Sequence, residues 1–162
     1  MYKYLILVIS MVSINANADT YLDINGFSKH SQPYYIYKGE YSKFNSQNFG
    51  VGITNTINKN LDFKVGMYYN SYYKLTVYSG FNLNTDFIVK DFTVTPGIMV
   101  GGATGYNNTP VHSGFIQFVV IPNIAVNYKK VGVTFGYIPA GQVREGEEAV
   151  SVVTMQFQYK IK

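Results

Sequence analysis

The chain has 162 residues, a formal net charge of +4 and no cysteine, which excludes a disulfide framework and a thiolate metal site. Tyr and Phe total 27 (16 plus 11) while charged residues make up only 14%, an unusual balance for a soluble domain. The lysines are scattered rather than clustered, so no nucleic-acid partner is expected.

Residues 1–18 read as a cleavable signal peptide. Lys3 gives a positive start, Leu5 to Ile14 is an apolar run, and Ala16-Asn17-Ala18 is a small-x-small cleavage site. The run is too short to span a bilayer as a helix, which takes about 20 residues. The remaining 19–162 is one domain, and no later stretch approaches a membrane helix.

From there the dominant signal is alternation with a period of two. It predicts eight strands, at about 20–29, 47–57, 61–70, 73–84, 88–102, 115–128, 131–138 and 149–161. In 61–70, Leu61, Phe63, Val65, Met67 and Tyr69 form one face; Asp62, Lys64, Gly66, Tyr68 and Asn70 form the other. In 92–101, Phe92, Val94, Pro96, Ile98 and Val100 alternate with Thr93, Thr95, Gly97, Met99 and Gly101. Bulky aromatic and aliphatic faces thus oppose faces rich in Gly, Thr and Gln. A soluble sandwich or lipocalin-like barrel puts its apolar face inward. Small residues instead fit the crowded interior of an eight-stranded barrel, and bulky apolar ones fit a lipid-facing belt. An open sheet edge in hydrocarbon would leave backbone groups unpaired at several kcal/mol each. The predicted fold is therefore all-β, an eight-stranded antiparallel transmembrane β-barrel in the outer membrane of a Gram-negative bacterium.

The predicted connections alternate in length. Those at 58–60, 84–87 and 129–130 are short; those at 30–46, 103–114 and 139–148 are long, and the link at 71–72 is tight. Barrels of this class keep short turns in the periplasm and long loops outside. That rule carries His30, Asn70 and Ser71 to the extracellular rim, together with the 103–114 loop. A His beside a Ser is a candidate base and nucleophile. His112 reads as loop polarity, and Glu145, Glu147 and Glu148 as a solvated charge run that could also hold divalent cations bridging lipopolysaccharide. Two histidines and dispersed carboxylates give no metal-ligand spacing, and neither metal nor cofactor is expected. Gly50, Gly52, Gly66, Gly97 and Gly101 fall on the inward faces, where they would leave room for an acyl chain. Pro122 and Pro139 lack an N–H and would loosen the ladder, opening a lateral gap for lipid.

These residues resemble those of a family. Phe44-Asn45-Ser46-Gln47-Asn48-Phe49-Gly50-Val51-Gly52 resembles the Tyr-Asn-Glu-x-x-Trp-Gly-Gly-Gly stretch of the outer-membrane lipid A palmitoyltransferases. Val65 to Tyr73 resembles their strand with a catalytic Asp-Ser pair; Gly136-Tyr137-Ile138-Pro139 resembles their Tyr-Ile-Pro-Gly, and Val120-Ile121-Pro122 a Leu-Leu-Pro. The order and spacing hold over residues about 24–140. The resemblance implies an eight-stranded barrel that moves an acyl chain from a phospholipid to lipid A, with membrane lipids as its partners and a monomer as its state. It implies that His30 and Ser71 are catalytic, with Asn70 where the family has Asp. A carboxylate fixes the tautomer of its His better than an amide does; in serine proteases the Asp-to-Asn change costs about 10⁴ in rate. The chain also lacks the family's amphipathic N-terminal helix. A second reading is a non-catalytic barrel that binds lipopolysaccharide or alters the cell surface.

Overall fold

The computed structural model describes residues 18–37, 39–107, 115–140 and 150–162. The signal-peptide residues 1–17, His112 and the three glutamates at 145, 147 and 148 lie outside the described residues. Eleven strands follow in chain order: β1 (Thr20–His30), β2 (Tyr34–Tyr37), β3 (Glu40–Lys43), β4 (Gln47–Asn58), β5 (Leu61–Tyr69), β6 (Leu75–Asn84), β7 (Phe87–Val89), β8 (Phe92–Ala103), β9 (Gln117–Tyr128), β10 (Val131–Ile138) and β11 (Val152–Lys160).

Eight of them form the wall. The sheet runs β6-β5-β4-β1-β11-β10-β9-β8, and β6 also pairs with β8, which closes it. Every pairing is antiparallel. Closure satisfies the strand edges, as hydrocarbon surroundings demand. β1 pairs with β11, so both ends of the barrel meet on one side. That side also carries the short turns at 59–60, 90–91 and 129–130.

The faces divide as alternation predicts. Val51 (55% exposed), Phe81 (50%), Ile98 (46%), Val131 (53%) and Phe157 (41%) point outward. The interior is polar: Asp23, Thr54, Lys64, Asn82, Thr134 and Gln158 are all buried there. This inverts the order of a soluble domain and excludes the sandwich reading. Asp23 accepts hydrogen bonds from Thr54 Oγ1 (2.6 Å) and Gln158 Nε2 (2.8 Å), and Thr134 Oγ1 donates to Gln158 Oε1 (2.7 Å). With water excluded from the wall, these bonds are what make the buried polar groups tolerable.

Two elements differ from the sequence reading. The connection predicted at 84–87 is not the turn. The regular β6–β8 ladder ends at Asn84, but the chain continues as β7, which pairs Phe87 with Val94 and Val89 with Phe92. The turn is Lys90-Asp91, with Lys90 at φ 56°. Asp86 accepts a hydrogen bond from Thr95 Oγ1 (2.6 Å) across the ladder, which holds this stretch against β8. The long connection 31–46 also holds a hairpin, β2–β3, in which Tyr34 pairs with Lys43 and Tyr37 with Glu40.

Candidate functional site

β1 crosses the wall with one irregularity. Its register shifts between Asn25 and Phe27 on both neighbours, which leaves Gly26 as an extra residue. A bulge re-aims the side chains that follow it. Below it Asp23 is buried in the lumen while Ile24 is exposed; above it Phe27 is exposed while Ser28 is buried. His30, two residues on, therefore faces inward and lines the lumen cavity.

Ser71 comes from the turn between β5 and β6. β4 alone separates β1 from β5 in the sheet, and only lower down, because β4 begins at Gln47. Above it Phe44–Ser46 bridges the space: Ser28 N donates to Ser46 O (3.0 Å), and Asn45 N donates to Ser71 O (2.8 Å). Asn45 Nδ2 adds a bond to Asn70 O (3.2 Å). The result is contact: His30 Nε2 lies 2.8 Å from Ser71 Oγ. The imidazole stacks on Phe44, with centroids 4.0 Å apart and planes 4° apart. Phe44 is held in turn by Tyr35 and Tyr72. His30 Nδ1 is buried without a hydrogen-bond partner among the described residues.

Asn70 does not supply that partner. Its side chain is wholly buried and committed to the turn. Oδ1 accepts from Tyr72 N (2.8 Å) and Lys74 N (3.1 Å); Nδ2 donates to Thr76 Oγ1 (3.0 Å) and Gly105 O (2.9 Å). Tyr73 N donates to Asn70 O (3.1 Å), and Tyr73 takes the left-handed φ of 57° that closes the turn. The arrangement is a Ser–His pair with an aromatic plate, and Asn70 shapes the turn that presents the serine.

The pair sits at the mouth of a cavity of about 520 Å³ that runs from the rim down into the lumen. Tyr68, Tyr78, Met99, Ala103 and Tyr106 contribute to its walls. Tyr68 and Tyr106 share a hydrogen bond of 2.9 Å, and burial pushes the Tyr106 phenol up to about 12, so it stays protonated. The five glycines expected to line an acyl pocket do not line this cavity. A Cβ at Gly52 or Gly66 would meet the Tyr78 hydroxyl at 2.6 or 2.7 Å, and one at Gly50 or Gly101 would run into the backbone of the adjacent strand. At Gly97 the obstacles are Leu83 O at 2.9 Å and the Asn82 amide at 3.1 Å. These glycines admit neighbouring backbone and side chains, and the space they leave is already filled. Gly26 and Gly136 line the cavity instead.

The wall opens beside the cavity. β10 pairs with β9 from Val131↔Tyr128 only as far as Gly136↔Asn123, then continues against β11 to Ile138. Residues 117–122 of β9 pair with β8 alone. Pro122 is the first residue past the last rung, and Pro139 follows the end of β10; both lack the donor that another rung needs. Ile121, Ile138 and Pro139 line the cavity, so it reaches this gap.

The closed ring and its lipid-suited belt make the chain an outer-membrane β-barrel. No protein-family model and no curated protein matches it. Among solved structures, the chain is similar to the N-terminal β-barrel domain of Pseudomonas aeruginosa OprF, at 9% identity and a TM-score of 0.44, over 87% of this chain and 97% of that one. It is also similar to Neisserial surface protein A (NspA), at 16% identity and a TM-score of 0.44, over 89% of this chain and 97% of that one. The ring of eight strands stands on its own pairings.

Proposed function

We propose that this barrel is a lipid acyltransferase of the outer leaflet, moving a fatty acyl chain from a phospholipid to lipid A or a related lipid. The observation that carries the reading is the 2.8 Å contact of His30 Nε2 with Ser71 Oγ at the mouth of the lumen cavity. A serine hydroxyl is a weak nucleophile until an adjacent base accepts its proton. His30 takes that proton as Ser71 Oγ attacks the ester carbonyl of the donor. The lysophospholipid leaves with the proton, and the acyl-serine passes its acyl group to an acceptor hydroxyl, restoring the serine. The gap between β9 and β10 supports entry of an acyl chain from the membrane. The acyl chain would occupy the aromatic upper part of the cavity.

A non-catalytic barrel that binds lipopolysaccharide is the second reading. The observation favouring it is the Nδ1 of His30, which no carboxylate among the described residues orients. The turn amides of residues 72, 73 and 74 are also engaged by Asn70, which leaves them unable to hold an oxyanion. Mass spectrometry of lipid A from cells expressing the protein or its Ser71→Ala variant separates the two. An added acyl mass that disappears in S71A, with the variant still folded, supports the transferase. Identical lipid A in all strains removes it.

A further inference from the structure

The inner end of the 520 Å³ cavity has a different character from its mouth. Lys64, on β5, is only 6% exposed and lines that end. Among the described residues its ammonium forms neither an ion pair nor a hydrogen bond; it also borders a polar pocket on the inner side, where the Asp62 carboxylate, bonded to Asn84 Nδ2, attracts it only through space. Isolated buried charges are costly unless a counter-charge or hydrogen bonds compensate them. A second donor lies nearby: Asn25 Nδ2 is buried and makes no hydrogen bond among the described residues, while its Oδ1 accepts from Gln156 Nε2 (2.9 Å). Tyr78 is a third. Its hydroxyl oxygen accepts from the same Gln156 Nε2 (3.3 Å), which leaves the O–H proton to give. Asp23, the nearby buried acid, is already held by Thr54 and Gln158.

This end therefore presents three donors, an ammonium, an amide N–H and a phenol O–H, below walls that are largely aromatic and aliphatic. We propose that the cavity binds a long-chain free fatty acid head-down, with its carboxylate on Lys64, Asn25 and Tyr78 and its alkyl chain running up toward Ser71. The volume falls in the range of about 300–1,000 Å³ usual for small-ligand sites. The site rests on the cavity and not on the transferase reading. It gives the barrel a ligand whose orientation is opposite to that of an acyl donor, so the fatty acid would compete with a donor for the same space.

The test uses the Ser71→Ala barrel refolded in uncharged detergent micelles, so that turnover plays no part. Binding of palmitate is compared with that of methyl palmitate, which keeps the chain and loses the charge. The acid is expected to bind at least tenfold tighter, and Lys64→Met, which preserves side-chain length, brings the two within about twofold. Asn25→Asp, which sets a carboxylate against the ligand's own, weakens the acid and spares the ester. Nitroxide-labelled fatty acids read the orientation: a label near the carboxyl broadens the Gly66 amide signal, and one near the methyl broadens that of Ser71. Equal affinity for acid and ester in the parent, an unchanged preference in K64M, or the reversed broadening pattern overturns the proposal. Unmodified lipid A in cells that express the parent barrel, with the binding preference intact, would instead count against the transferase reading alone.

Discussion

Asn70→Asp is the sharpest perturbation, because two accounts of the same residue give it opposite signs. If Asn70 were a weakened orienter of His30, a carboxylate there would help; in serine proteases the corresponding exchange is worth about 10⁴ in rate. The geometry predicts loss instead. Asn70 is wholly buried, and its Nδ2 donates to the carbonyl of Gly105 at 2.9 Å. A carboxylate has no proton for that carbonyl, so two oxygens would face each other in a buried site. The Thr76 hydroxyl can rotate to donate, so one contact is lost outright and a charge is buried beside it. A buried group left unpaired costs about 1–3 kcal/mol, and more when it is charged, so a loss on the order of 3 kcal/mol is expected. The measurement is urea unfolding of the refolded barrel in lipid vesicles, followed by electrophoretic mobility, with lipid A acylation assayed beside it. N70D should unfold at lower urea and acylate less than the parent. A variant as stable as the parent and more active would refute the assignment of Asn70 to the turn and restore it as a partner of His30.

Three further outcomes follow from the packing. Gly52→Ala or Gly66→Ala drives a methyl into the Tyr78 hydroxyl, at 2.6 or 2.7 Å, and should cost about 1–3 kcal/mol of unfolding free energy without changing the acyl length transferred; a shifted product length by mass spectrometry would return these glycines to the acyl pocket. Pro122→Val restores a backbone donor at the end of the β9–β10 ladder; amide exchange at Tyr137 should slow, and lipid modification should fall as the gap zips. Asp23→Ala removes the acceptor of two buried hydrogen bonds and leaves Thr54 and Gln158 unpaired; it should lower stability by about 2–4 kcal/mol, read by the same urea titration.

The strands were legible because each face meets a different solvent. Lipid selects Phe81, Ile98 and Phe157, while a lumen of side-chain width selects Gly, Thr and Gln, so alternation carries the wall. The β2–β3 hairpin has a signal too, in the Tyr34-Tyr35-Ile36-Tyr37 run before Gly39, inside a stretch read only as a long connection. The meeting of His30 and Ser71 followed from where strands end, and loop length alone fixes that. Asn70 was misjudged because a motif gives position and not direction: the same backbone site can aim an amide at a histidine or into its own turn. The glycines failed for a related reason. An absent side chain reads as empty space, although the strand next to it and Tyr78 had already moved in.

The extra residue in β1 separates two quantities that a regular strand locks together, chain length and facing. In a regular strand the parity of a residue's number decides which side of the wall it serves. Odd positions serve the lumen up to Asn25, and even positions do so from Ser28 onward. A chain lacking Gly26 would keep Asp23, Ser28 and His30 on their present side with an unbroken ladder to β11. A chain that kept Gly26 but paired it regularly would turn His30 toward lipid and bring Phe27 and Lys29 inward. One residue thus acts as a parity switch, and through it a hydrophobic pattern suited to membrane insertion can end in an imidazole on the other face.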